Sequence, residues 1–272
     1  MSSQNQSEES LNPAPGNSSD TNAQAWDAVP VTATEHAKSK RRLGLAIAIA
    51  AAVAVGLAGY AYKRSVDPVH ALEAFDAGER LLKNAHYSEA ILSFDRAIQI
   101  NPKYAEAFSM RGRCNMALAK PLTALPDFSR AIELRPSDPE GFLDRGYAHI
   151  TLREWPEALA DIDRAIELDP KLSRAYNLRG SAVRAMGDPA KALADFDRAV
   201  ELLPNIDNVF QRGATYQQLG QHELAISDFS RVISFVPSSA QAYFARSLSF
   251  RALGDLASAD RDHRTGRVLD GK

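Results

Sequence analysis

The chain has 272 residues, 45% of them apolar and 24% charged, with a net charge of −2. That length allows one or two domains, and the near balance of charge gives no reason to expect a nucleic-acid binder. The single cysteine, Cys114, excludes an internal disulfide.

The whole-chain average conceals unlike segments. Residues 1–37 are rich in Ser, Asn, Gln and Pro, carry the acids Glu8, Glu9, Asp20, Asp27 and Glu35, and hold no Lys or Arg. No apolar period runs through them, so they read as a disordered polar tail. Trp26, in AQAWDAVP, is either a short docking motif or a lone aromatic in that tail.

Residues 38–64 read as a basic-flanked transmembrane helix. Leu43 to Tyr62 is free of charge, LGLAIAIAAAVAVGLAGYAY, and about 20 helical residues span a hydrocarbon core of roughly 30 Å. Lys38, Lys40, Arg41 and Arg42 precede the run, against Lys63 and Arg64 after it. That bias predicts a cytoplasmic N-terminus, and Tyr60 and Tyr62 suit the far interface. The competing reading is a cleaved signal peptide with its small residues at Gly56-Leu57-Ala58, but the tail ahead of the apolar run is long for one. Gly44, Ala48, Ala52 and Gly56 form a four-residue repeat of small side chains. Such a face packs transmembrane helices together in weak self-association, and an Ala-rich helix also produces it by accident. Residues 65–70 read as a linker, in which Pro68 discourages one continuous helix.

From Ala71 onward one unit is written six times. Tyr176 to Pro204 shows it: two apolar-periodic helical runs flank Gly187-Asp188-Pro189. The small residue opening the second helix is Ala90, Ala124, Ala158, Ala192, Ala225 and Ala259, at spacings of 34, 34, 34, 33 and 34. One turn later stand Phe94, Phe128, Ile162, Phe196, Phe229 and then His263. Pro102, Pro136, Pro170, Pro204 and Pro237 close the first five copies. Gly78, Gly112, Gly146, Gly180 and Gly213 lie inside the first helix, with Ser247 in the sixth copy.

This period and pattern of small, small, bulky and proline resemble the tetratricopeptide repeat. The resemblance covers about Ala71 to Lys272. The family's usual Trp is absent from the first helix, where Phe108, Phe142, Tyr176 and Tyr243 stand, and an Arg replaces the usual Leu before the glycine. The expected fold is all-α: an α-solenoid of six helix–turn–helix repeats behind one transmembrane helix. The copies divide at 71–104, 105–138, 139–172, 173–205, 206–239 and 240–272. The sixth carries Asp260, His263, Gly266 and Arg267 where earlier second helices are apolar, as a terminal cap requires.

No motif for catalysis or metal binding is present. None of His36, His70, His86, His149, His222 and His263 pairs at ligand spacing. His149 and Cys114 fall in inward registers and read as core residues. The expectation is no enzyme, no cofactor and no metal. A polar pattern does recur: Arg111, Arg145, Arg179, Arg212 and Arg246 precede the first-helix glycine or Ser247, and Asp127, Asp161, Asp195, Asp228 and Asp262 precede the bulky second-helix residue or His263. The first copy lacks both, with Ala77 and Ser93. This predicts an Arg–Asp pair within each later hairpin, such as Arg179 with Asp195. The rival partners for the acids are Arg96, Arg130, Arg164, Arg198 and Arg231.

In tetratricopeptide proteins the concave face, lined mainly by first helices, usually takes a peptide. Counting around each first helix places Ser109, Arg113, Leu143, Tyr147, Arg174, Asn177, Arg184, Phe210, Gln217, Phe244 and Arg251 on that side. Asn177 with Arg174 and Arg184 only partly resembles the terminal-carboxylate clamp of chaperone-binding members. The tail carries a charge of −5 and the basic flanks +6, leaving −3 from Ser65 onward, so nucleic acid is not an expected partner. The leading expectation is a membrane-tethered interaction scaffold that meets the bilayer through Leu43–Tyr62 and recruits a protein or peptide near its surface. The charge bias puts the repeats outside the cytoplasm, and resemblance to bacterial repeat proteins places them in a periplasm. The alternative is a non-catalytic carrier or assembly subunit of a bacterial envelope enzyme complex handling glycan or lipid.

Overall fold

The structure is a computed structural model that describes residues 33–271, apart from the side chains at 33–37, 39 and 61–66. The tail with Trp26 lies outside the described residues. Among those residues are twelve helices and no strand: α1 (Ala33–Lys83), α2 (Tyr87–Ile100), α3 (Ala105–Ala117), α4 (Pro121–Leu134), α5 (Pro139–Leu152), α6 (Trp155–Leu168), α7 (Ser173–Ala185), α8 (Pro189–Leu202), α9 (Ile206–Gln218), α10 (His222–Phe235), α11 (Ala240–Ala252) and α12 (Leu256–Leu269). The described chain divides into two units, which meet at Tyr60 and Ala61 in the sequence.

In the first unit, Lys40–Tyr60 has a mean hydropathy of 2.2 and none of it is buried. It is long and apolar enough to cross a membrane. The expected linker is not a break: α1 is helical through Pro68. A proline inside a helix removes one i→i−4 bond and crowds one carbonyl. Here the residues on both sides keep the helical path despite that local cost.

The second unit is built of hairpins. Every turn inside a hairpin has the same backbone: in the first, the amide of His86 donates to the Leu81 carbonyl (2.9 Å) and that of Ala85 to Leu82 (2.9 Å), which is a Schellman motif. The same six-to-one bond recurs from Lys120 to Asn115, Glu154 to His149, Asp188 to Val183, Gln221 to Tyr216 and Asp255 to Phe250. The motif needs a left-handed residue, supplied by Gly187, Gly220 and Gly254 in the later copies but by Ala85, Ala119 and Arg153 in the first three.

Close helix approach explains the glycine and bulky columns together. A Cβ added at Gly78 would lie 2.6 Å from the Phe94 ring, and one at Gly112 would lie 2.6 Å from the Phe128 ring. Phe94, Phe128, Ile162, Phe196 and Phe229 are fully buried in this way. The sixth copy inverts the arrangement. Its bulky partner comes from the first helix, where the Phe244 ring stands 2.7 Å from the Cβ position of Gly266. Gly266 is therefore buried beneath Phe244 and is not part of a polar cap. Asp260, His263 and Arg267 do face solvent, together with the apolar Leu256 and Val268.

Successive first helices touch one another (α3 with α5, α5 with α7, α7 with α9, α9 with α11), while no second helix touches the next second helix. The first helices thus form the inner layer of a curved stack, and the second helices form its convex back.

Candidate interaction groove

The inner layer presents its polar side chains in rows, one residue per repeat. Much of that polarity is already engaged in tying repeats together. Arg113 on α3 donates from Nε to Asp144 Oδ2 on α5 at 2.6 Å, and its Nη2 lies 3.5 Å from Glu140 Oε2. From the other side, Arg174 on α7 reaches Glu140 (3.0 Å) and Asp144 (3.3 Å). Two guanidiniums and two carboxylates therefore form a neutral cluster across three repeats. Asp144, 3% exposed, is held between the two cations.

Beside this cluster lies a cavity of about 360 Å³ lined by Arg113, Met116, Ala117, Phe128, Asp144, Tyr147 and Arg174. Its floor is apolar, and Tyr147, 44% exposed, stands at its rim. The structure thus brings Arg113, Tyr147 and Arg174 to one place. Asp144 and Glu140 are the residues that sequence reasoning missed. Asp144 occupies a register held by Met110, Leu178, Gln211 and Ala245 in four other copies and by a second acid, Asp76, in the first, so the column alone did not single Asp144 out.

Asn177 donates to Asn208 Oδ1 at 2.8 Å. Asn208 in turn donates to Ser173 Oγ and to the carbonyls of Ala199 and Leu203. Asn177 is thereby part of a buried seam between the fourth and fifth repeats. Gln217 donates to the Ala245 carbonyl and Ser249 Oγ, each at 2.8 Å, and bridges the fifth and sixth. Arg251 is exposed and meets Asp260 at 3.4 Å.

Arg184 differs from the other groove arginines. Its Nη1 donates to the Gln211 carbonyl and Thr215 Oγ1, both at 3.1 Å, and its Nη2 to Gln211 Oε1 at 2.5 Å. The guanidinium lies over the Phe196 ring, 5.1 Å from its centroid. All these partners are neutral, and burial lowers its pKa from the usual arginine value.

Three of the expected groove residues point elsewhere. Leu143 is fully buried and packs with Ile162, Ala165 and Ala175. Phe210 lies against the Phe229 ring, 5.4 Å between centroids, in a cluster with Val209 and Val232. Phe244 fills the space over Gly266 and stacks near His263 at 5.4 Å. Apolar area in this register is better removed from water inside a hairpin than left in the groove. Ser109 in the same register is half-buried.

The recurrent arginines are hydrogen-bonded in all five copies. Arg179 donates from Nε (3.0 Å to Oδ2) and Nη2 (2.7 Å to Oδ1) to Asp195. Arg111 meets Asp127, Arg145 meets Asp161, Arg212 meets Asp228 and Arg246 meets Asp262 through the same two-pronged geometry. These carboxylates hold the pKa of Arg111, Arg145, Arg179 and Arg212 above the usual arginine value. The rival arginines Arg130, Arg164 and Arg198 pair with Glu133, Glu167 and Glu201 one turn along their own helices.

Each recurrent arginine also uses Nη1 to reach the preceding repeat, at Asp95, Ser129, Asp163, Asp197 and Ser230 in turn. That third acceptor was not foreseen. Its signal is the Asp or Ser that directly follows the bulky column in the first five copies. The first copy has no repeat before it, which accounts for Ala77.

His149 is half-buried, and its Nδ1 lies 2.7 Å from Glu154 Oε2. Cys114 is buried, which pushes its thiol pKa up to about 11 and keeps it protonated and unreactive at neutral pH. Among the described residues no cluster of His, Cys, Asp and Glu could hold a metal ion.

A curved stack of six helical hairpins, with a glycine and a bulky residue meeting in each of the first five, is an α-solenoid. Family models described as tetratricopeptide repeat match residues 75–139, 143–205 and 207–237, and the chain belongs to the tetratricopeptide repeat family. No curated protein sequence matches it.

Several solved structures share the fold. PilW, described as a widely conserved type IV pilus biogenesis factor, is 20% identical with a TM-score of 0.68, over 73% of this chain and 92% of its own. PilF of Pseudomonas aeruginosa is 15% identical with a TM-score of 0.66, over 75% and 93%. YrrB, described as a repeat protein with an unusual peptide-binding site, is 20% identical with a TM-score of 0.53, over 66% and 93%.

Proposed function

We propose that this chain is a membrane-tethered scaffold whose concave groove holds a peptide segment of a partner protein. The observation that carries the reading is the cavity of about 360 Å³ on the inner layer. It combines an apolar floor with an exposed aromatic rim and a charge cluster already neutralised, the composition of a peptide anchor site. The apolar span Lys40–Tyr60 and the basic excess before it support a tether with a cytoplasmic N-terminus and repeats on the opposite, periplasmic side.

The test is photocrosslinking in native membranes, with a probe at Tyr147 or Ala117 in the cavity and a control at Leu92 or Leu122. Both control positions are exposed on second helices. The expected result is one discrete adduct from the cavity positions and none from the convex ones. Equal labelling from both faces, or none from the cavity, overturns the groove reading.

A further inference from the structure

Arg184 is a half-buried cation with no carboxylate among its hydrogen-bond or ion-pair partners in the described residues. The other partly buried inner-layer arginines do not share that condition. Arg111, Arg145, Arg179, Arg212 and Arg246 each meet an aspartate of their own hairpin, and Arg113 meets Asp144. Arg184 meets two oxygens of Gln211 and the Thr215 hydroxyl. Its position is fixed from both sides, by these acceptors on α9 and by the Phe196 ring beneath. A partly desolvated charge with neutral partners is incompletely compensated, and an incoming anion completes it.

The row to which Arg184 belongs runs along the groove. Met116 stands in the same register two repeats earlier and lines the cavity described above. Between and beyond them come Ile150, Gln217 and Arg251. A peptide lying along this wall meets apolar side chains at Met116 and Ile150 and then a guanidinium at Arg184. Elsewhere on the inner layer, Arg113 and Arg174 are occupied by Glu140 and Asp144. An anion there would have to displace a carboxylate, whereas at Arg184 it displaces none.

We infer that Arg184 is the charge-reading position of the groove and takes an acidic side chain, Asp or Glu, from within the bound peptide. The inference rests on the groove reading and specifies the chemistry of its ligand. The commitment to a side chain follows from the site having a single guanidinium. Asn177 is held by Asn208, and Arg174 by Glu140 and Asp144, so no second cation is free beside Arg184 to hold a chain terminus.

The experiment is a selection of random peptides displayed with a free C-terminus, against the full-length chain held in detergent. Selected peptides are then synthesised with either a free or an amidated C-terminus. The expected result is enrichment of one acidic position. Changing that residue to its amide should weaken binding at least about tenfold, as loss of a desolvated charge pair does, and C-terminal amidation should leave affinity unchanged. In Arg184→Gln the acid-to-amide change should no longer matter. Should that variant misfold, the peptide-side substitution still decides with the native chain. Peptides that bind without any acidic requirement, or whose acid is read equally by Arg184→Gln, overturn the assignment while the groove reading stands. A requirement for the free terminus does the same. Absence of any selected peptide removes both.

Discussion

At the scale of single residues, one guanidinium joins three helices. Arg179 on α7 holds Asp195 on α8 and Asp163 on α6. Arg179 is 30% and Asp195 13% exposed, so loss of either leaves the other partly desolvated. Arg179→Ala and Asp195→Ala are each expected to destabilise the domain by about 1–3 kcal/mol. Arg179→Ala should cost more, because it breaks two contacts. The double variant should lose less than the sum of the singles. A double-mutant cycle by urea denaturation checks this, and strict additivity would remove the pair as an energetic unit. Arg145 finds a serine, Ser129, at the place where Arg179 finds Asp163. Ser129→Asp is therefore expected to stabilise by about 0.2–1 kcal/mol, the range of a half-exposed ion pair, and to lose that gain at high salt. The Arg and Asp columns were legible as covarying positions within the chain. The third acceptor was not, because it belongs to the repeat before, and a single hairpin gives no reason to look there.

At the scale of elements, the turns and the close contacts between helices differ from copy to copy. Ala85, Ala119 and Arg153 adopt φ of 58°, 57° and 62° where later copies have glycine. The left-handed conformation costs a residue with a Cβ about 1 kcal/mol, partly offset by the greater unfolded-state entropy of glycine. Ala119→Gly and Arg153→Gly are each expected to raise the denaturation midpoint by an amount equivalent to about 0.5 kcal/mol. An unchanged or lower midpoint would contradict this account. The glycines inside the first helices behave in the opposite sense. Gly112→Ala places its Cβ 2.6 Å from the Phe128 ring, whereas Gly180→Ala leaves 3.1 Å to Phe196. Overpacking of about 1–3 kcal/mol works against the roughly 1 kcal/mol that alanine contributes to a helix. Gly112→Ala should therefore be the more destabilising of the two in parallel thermal melts, with Gly180→Ala near neutral. A reversed order would show that the rings adjust freely.

At the scale of the whole molecule, the proposed tether and the proposed groove make separate predictions. If the apolar span is an uncleaved anchor, mass spectrometry of the membrane-embedded chain will show the residues before Leu43 still attached. Protease added from the cytoplasmic side will then cut the tail and spare the repeats. A new N-terminus near Gly59, or cleavage within the repeats, would reverse that topology. The groove differs between its two halves: a neutral cluster and cavity at Arg113, Tyr147 and Arg174, then a lone cation at Arg184.

The repeat period, the hairpin architecture and the apolar span were determined by the sequence alone, because local spacing of glycine, alanine and bulky residues dictates which helix faces can meet. Which inner-layer residues remain available to a partner was decided only by tertiary structure. Phe210 and Phe244 turn into hairpins, Asn177 and Gln217 bridge repeats, and Glu140 with Asp144 neutralises Arg113 and Arg174. The bridges and the charge cluster depend on residues about 30 positions apart that periodicity within one repeat does not relate, and the two phenylalanines on packing across their own hairpins. A side chain's freedom is set by its nearest neighbours in space, and in a stacked array many of these belong to the adjoining repeat.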